Sequence, residues 1–138
     1  MADLTITAAD VVPAAGANGF GQGTAGATIT AGQWLYKDST DSNKLKLADT
    51  DASQAAATCV GVALHAALAN QPIRYQTEGN LDCGGTTVVG TVYVLSGTAG
   101  GIAPAADLAS SDWTTVLGIG TTATNLLMSL KVSDVQVP

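Results

Sequence analysis

Few residues in this chain have side chains suited to catalysis or metal binding. His65 is the only histidine and so the only side chain that ordinarily titrates near neutral pH. No nucleophile stands beside it in a usable pattern: "TCVGV" is not the G-x-S-x-G of a nucleophile elbow. Cys59 and Cys83 lie 24 residues apart and share no zinc-like spacing with His65, so they read as buried apolar thiols. Asp38, Asp41, Asp49 and Asp51 cluster in sequence but lack the order of a calcium loop. Asp in "KDSTDSN" suits a turn, where its carboxylate can bond to nearby backbone. "GFGQGTAG" at 19–26 has the glycines of a phosphate loop but no Lys-Ser/Thr after them and no helix to follow. The expectation is no enzyme, no metal and no cofactor.

The elements around these residues are strands. With 138 residues the chain can fill one modest core. Apolar residues make up 46%, yet aromatics only 4%, and sixteen glycines argue against long helices. "NKLKLAD" alternates Leu45 and Leu47 with Lys44 and Lys46, the period of a strand with one wet side. "ATITAGQWLYKD", "TCVGVAL" through Leu64, and "QPIRYQTEG" read as further strands, as does "LTIT" at 4–7. Residues 8–26 are rich in Ala and Gly and have no period. Such a stretch cannot repay its own ordering entropy, which predicts that residues 8–26 are mobile alone and ordered on a partner, within an extended amino-terminal arm over 1–26.

The second half repeats the first. Gly90 follows Gly32 and Asp107 follows Asp49 by 58 residues; Gly118 follows Gly61 and Leu130 follows Ile73 by 57, with Lys131 standing where Arg74 stood. Four strands cannot bury an apolar face alone. The sequence therefore predicts an all-β fold over 27–138: a small β-barrel or sandwich of two similar four-stranded units covering each other's edges. Equivalent glycines would mark bends or close backbone approaches.

Charge narrows the partners. With 11 acidic and 5 basic residues the formal charge is −6, which repels phosphate backbones and gives no basic patch, so no nucleic acid is expected. No run approaches about 18 apolar residues and "MADLTITAADVV" has no signal-peptide pattern, so no membrane partner is expected and assembly is placed in the cytoplasm. What remains is a protein that packs against neighbours.

"AGQWLYKD", "KLKLAD", "VGVALHAALANQPIRYQTEG" and "GTVYVLSGTAGGIAPAADL" together resemble the small capsid decoration, or cement, proteins of tailed bacteriophages, over residues 27–133. The resemblance implies a β-barrel on the outer surface of a virion capsid, made in the host cytoplasm, that binds the major capsid protein and stabilises contacts between capsid subunits. It also implies self-association, as a homotrimer or a dimer. The loop "SGTAGGIAPAAD" suits close contact, since Gly and Ala let backbones approach and Pro104 stiffens the exit; an ordinary hairpin loop is the competing reading. The candidate contact residues are Val11, Val12 and Phe20 in the arm, with Phe20 its one large anchor, and Gly100, Gly101, Ile102 and Pro104 in that loop. The alternative function is a virion-displayed carbohydrate-binding module using Trp34, Tyr36, Tyr93 and Trp113. Against it, Tyr93 aligns with Leu35 rather than with Trp34 or Tyr36.

Overall fold

The computed structural model describes residues 3–138 and is all-β. Its strands are β1 (Val11–Pro13), β2 (Gly19–Thr24), β3 (Trp34–Asp38), β4 (Lys44–Leu47), β5 (Cys59–Ala63), β6 (Pro72–Cys83), β7 (Val92–Leu95), β8 (Ile102–Pro104), β9 (Trp113–Gly120) and β10 (Asn125–Gln136). Single 3-10 turns at Ala8–Asp10 and Ala105–Asp107 are its only helical pieces among the described residues.

The strands form one antiparallel sheet, in the order β4-β3-β5-β6-β10-β9-β7-β8, with β1 and β2 also paired to β6. The sheet curls into an open half-barrel. One isolated parallel bridge, Ala25 to Leu45, approaches closure at β4, but no continuous ladder follows it. β6 is long enough to serve two regions. Its first half pairs with β5 and β2, and its second half pairs with β10 and β1.

The β3–β4 hairpin shows how local chemistry sets these elements. Ser42 and Asn43 take positive φ, the Asn43 N–H donates to the Asp38 carbonyl at 2.9 Å, and the Thr40 N–H donates to Asp38 Oδ1 at 2.9 Å. The turn acid therefore satisfies its own loop. It also meets Lys46 Nζ at 2.7 Å, and this hydrogen bond, followed by those from Thr40, holds the Asp38 carboxyl down to about 2. Leu45 meanwhile points inward and is fully buried.

Two apolar clusters fill the curl. The larger joins Trp34, Cys59 and Val62 of the first half to Tyr93, Leu117, Leu126 and Met128 of the second, with Val11 at its margin. The smaller joins Leu35, Leu45, Ala63, Ile73 and Tyr75 under a lid of Ala25, Ile29 and Ala67.

Three regions differ from the sequence reading. "LTIT" forms no strand; the Leu4 N–H donates to the Ile102 carbonyl of β8 at 2.9 Å and the Thr7 N–H to the Gly84 carbonyl just past β6 at 2.8 Å. Thr28–Thr30 contributes a single bridge, Ile29 to Ala67. In the span assigned to a mobile arm, Val11–Pro13 and Gly19–Thr24 run antiparallel along β6. The ordering partner that the composition demands is thus β6 of the same chain, which with β10 is one of two 12-residue strands and whose second edge offers unpaired backbone groups.

Candidate functional site

Most of the polar residues with chemical potential are bound into the structure; Asp107 Oδ2 is the exception, buried with no hydrogen-bond partner among the described residues. His65 Nε2 accepts the Arg74 N–H at 3.0 Å, so its other ring nitrogen carries the proton and donates to the Ala66 carbonyl at 2.9 Å. The ring clips the β5–β6 loop and has no nucleophile to activate. Burial pushes the Cys59 thiol up to about 12 and raises that of Cys83 as well, so both stay protonated and inert. Asp49 is raised by burial and then by its neighbour Asp51. Asp3, Asp51, Asp107 and Asp112 line one cleft, but Asp3 accepts from the Ser96 hydroxyl at 2.5 Å and Asp112 from the Ala109 N–H at 2.8 Å. Among the described residues no three His, Cys, Asp or Glu side chains are grouped to hold a metal ion. The "GFGQGTAG" glycines form β2 and its exit, not a cradle.

The candidate contact residues fall into two places. Gly100, Gly101, Ile102 and Pro104 sit where the loop docks on its own chain. The Gly100 N–H donates to the Ala48 carbonyl at 2.7 Å, and the Trp34 N–H donates to the Gly100 carbonyl at 3.0 Å. Gly100 and Ile102 are buried, and Gly101 and Pro104 are half-buried. The small residues do permit close approach, but here the neighbours include Gln33 and Leu47 of the same chain. Val11 is buried in the larger cluster, facing away from solvent.

Val12 and Phe20 remain outside, 48% and 42% exposed. Both lie on the segment that borders β6. The Phe20 ring carries the Arg74 guanidinium 4.7 Å from its centroid, which holds an otherwise free aromatic in a set orientation. Gly19 and Gly21 flank it on β2 and Gly23 follows, so the strand carries few side chains.

The aromatics of the carbohydrate reading are placed differently. Trp34 and Tyr93 are 1% exposed, and Tyr36 and Trp113 are half-buried. They form no exposed stacking row.

A second surface escaped the sequence reading. Val92 pairs with Ile119, and Ile119 pairs with Leu127, so the three side chains stand in one line across β7, β9 and β10. They are 37%, 42% and 44% exposed, and Val88 and Val89 extend the apolar area beside them. A signal was present: "TVYVL" places apolar residues at both parities, which a strand with a wet face does not require.

The chain matches no protein-family model and no curated protein.

Proposed function

We propose that this protein is a structural capsid decoration protein, which binds the outer surface of a phage head and stabilises contacts between capsid subunits. The observation that carries the reading is the β1–β2 border, with Val12 and Phe20 exposed on a thin strand edge and Phe20 held by Arg74. The segments that resemble decoration proteins supply β3, β4, β5, β6, β7 and β8, so the likeness follows the sheet and is not confined to loops. The contact is an added strand or extended segment of the major capsid protein along β2, with Phe20 as its apolar anchor.

The finer architecture belongs to the same proposal: two similar four-stranded units, β3–β6 and β7–β10. Supporting it, Leu35 pairs with Gly61 and Tyr93 with Gly118, and each pair is followed by a bulge on the second strand. Gly32 and Gly90, which precede these pairs, have φ of 87° and 82°. The equivalence stops at the last strands. Val62 pairs with Gln76 but Ile119 pairs with Leu127, so Ile73 and Leu130 do not occupy matching places. The longer loop after β5 accounts for that slip.

The test uses undecorated heads of the phage that encodes the chain. Added protein should raise the temperature at which those heads disrupt, saturably, and Phe20→Ala should weaken that protection about tenfold or more in concentration. Heads whose disruption temperature is unchanged at saturating protein would overturn the reading.

A further inference from the structure

The chain has one histidine, one arginine and one phenylalanine, and the three meet at one place. His65 Nε2 accepts the Arg74 N–H at 3.0 Å, and the Arg74 guanidinium lies over the Phe20 ring at 4.7 Å. Arg74 is thus held twice, by its backbone and by its side chain. Strand register explains the meeting. Arg74 stands opposite Gln22 and Phe20 opposite Gln76, so Arg74 and Phe20 are diagonal neighbours across β2 and β6. A depression of about 340 Å³ opens beside them, with Gln22, Thr24, His65 and Arg74 in its lining.

This cation lacks an acid. Lys44 pairs with Asp41, and Lys46 with Asp38 and Asp41, but no carboxylate among the described residues pairs with Arg74. Glu78, the nearer of the two acids on β6, stands opposite Gly19, beyond Phe20. Lys37 and Lys131 also form no ion pair among the described residues, yet neither lies over an aromatic ring. Arg74 is therefore the unpaired cation whose orientation is set. An arginine stacked on an aromatic still offers an edge of N–H donors, and that edge matches the two oxygens of a carboxylate.

The surroundings have the period of an extended chain. Phe20, Gln22 and Thr24 are the exposed residues of β2 and alternate with Gly19, Gly21 and Gly23. Same-face residues of a strand stand about 7 Å apart, and a segment laid along β2 repeats that spacing. A sugar ring is the poorer fit, because one face of Phe20 is already covered by the guanidinium.

We propose that β2 receives an extended protein segment bearing an Asp or Glu side chain, whose carboxylate docks on the Arg74 guanidinium. The inference rests on the capsid reading only for the owner of that segment, the major capsid protein. Charge complementarity selects the acid. A chain of formal charge −6 repels an acidic segment in general, so the held cation sets where such a segment settles.

The experiment is a titration of the full chain without heads, followed by the NMR signals of the Arg74 Nε–H and of the Gln22 and Thr24 amides. The probes are a capped peptide, Thr-Val-Glu-Val-Thr, its Thr-Val-Gln-Val-Thr counterpart, sodium acetate and sodium glucuronate, at matched ionic strength. The Glu peptide should shift the Arg74 signal and bind about tenfold or more tightly than the Gln peptide or acetate. Arg74→Gln should abolish the preference for Glu and Arg74→Lys should keep part of it. Both variants should retain the wild-type strand spectrum and cooperative melt. Equal binding of the two peptides, or no binding up to about 10 mM, overturns the proposal. So does a preference for Glu that survives Arg74→Gln. Glucuronate binding more tightly than the Glu peptide assigns a sugar acid, and acetate binding as tightly assigns a free carboxylate; either result overturns it. Because this assay contains no heads, its failure is distinct from failure of the capsid reading.

Discussion

The Arg74 guanidinium sits over the Phe20 ring at 4.7 Å, linking the start of β6 to the exposed side of β2. A cation over an exposed aromatic contributes about 0.5–1 kcal/mol. Phe20→Ala should therefore change the midpoint of a urea melt only slightly while removing the apolar anchor. Arg74→Lys should keep the charge and stability and lose part of the ring's fixed orientation. A large loss of stability in Phe20→Ala would mean that the ring belongs to the core.

Gly61 and Gly118 leave no room for a methyl group. A Cβ on Gly61 would run into the Gln76 carbonyl, and one on Gly118 into the Leu127 carbonyl. Both obstacles are backbone, which cannot rotate away. Each alanine substitution should cost about 1–3 kcal/mol by equilibrium unfolding, the range for forced overpacking. If either variant is as stable as the wild type, the close strand approach at that position is not required.

How much of this was legible in the sequence depends on what decided each part. The strands β3, β4, β5 and β7 were legible because alternation and β-branched residues act locally. Gly61 and Gly118 were legible because a repeated glycine marks a repeated backbone constraint. The place of residues 11–24 was not legible. Nothing local in "VVPAAGANGFGQGT" tells which edge will pair with it, and its partners on β6 are 48 to 72 residues away in sequence. The docking of Gly100 on Ala48 was hidden for the same reason: small residues permit close contact but do not name the neighbour. The exposed line on β7, β9 and β10 was masked because large aliphatics read as core until pairing shows which face is covered.

The amino-terminal segment is part of the folded sheet. Val11 is 4% exposed and Ala25 fully buried, and β1 and β2 satisfy one edge of β6. Removing residues 1–26 should therefore lower the melting temperature clearly and promote association through the bared edge. A truncated protein that melts like the full chain would restore the picture of a free arm beside an independent barrel.

Acid should loosen the β3–β4 turn late. The Asp38 carboxyl is held down to about 2, first by its hydrogen bond to Lys46 and then by those from Thr40. A depressed folded value means that its contribution is fully present above the unfolded carboxylate value, about 3.9, and is lost as pH falls towards 2. Asp38→Asn should remove that part of the acid dependence between about pH 4 and 2, seen in amide signals of Thr40 and Asn43. An unchanged acid titration of those amides would exclude the Asp38–Lys46 pair as its source.

Cys59 should resist alkylation in the native state. Its thiol is buried and pushed up to about 12, so almost no thiolate exists at pH 8. Iodoacetamide labelling at that position should follow unfolding; rapid native labelling would contradict the burial.

The capsid reading is tested most directly by imaging undecorated heads mixed with saturating protein by electron cryo-microscopy. Ordered density is expected on the outer surface, with the β1–β2 border at Val12 and Phe20 facing the shell. A bare outer surface at saturation, or density that turns this border to solvent, would contradict it.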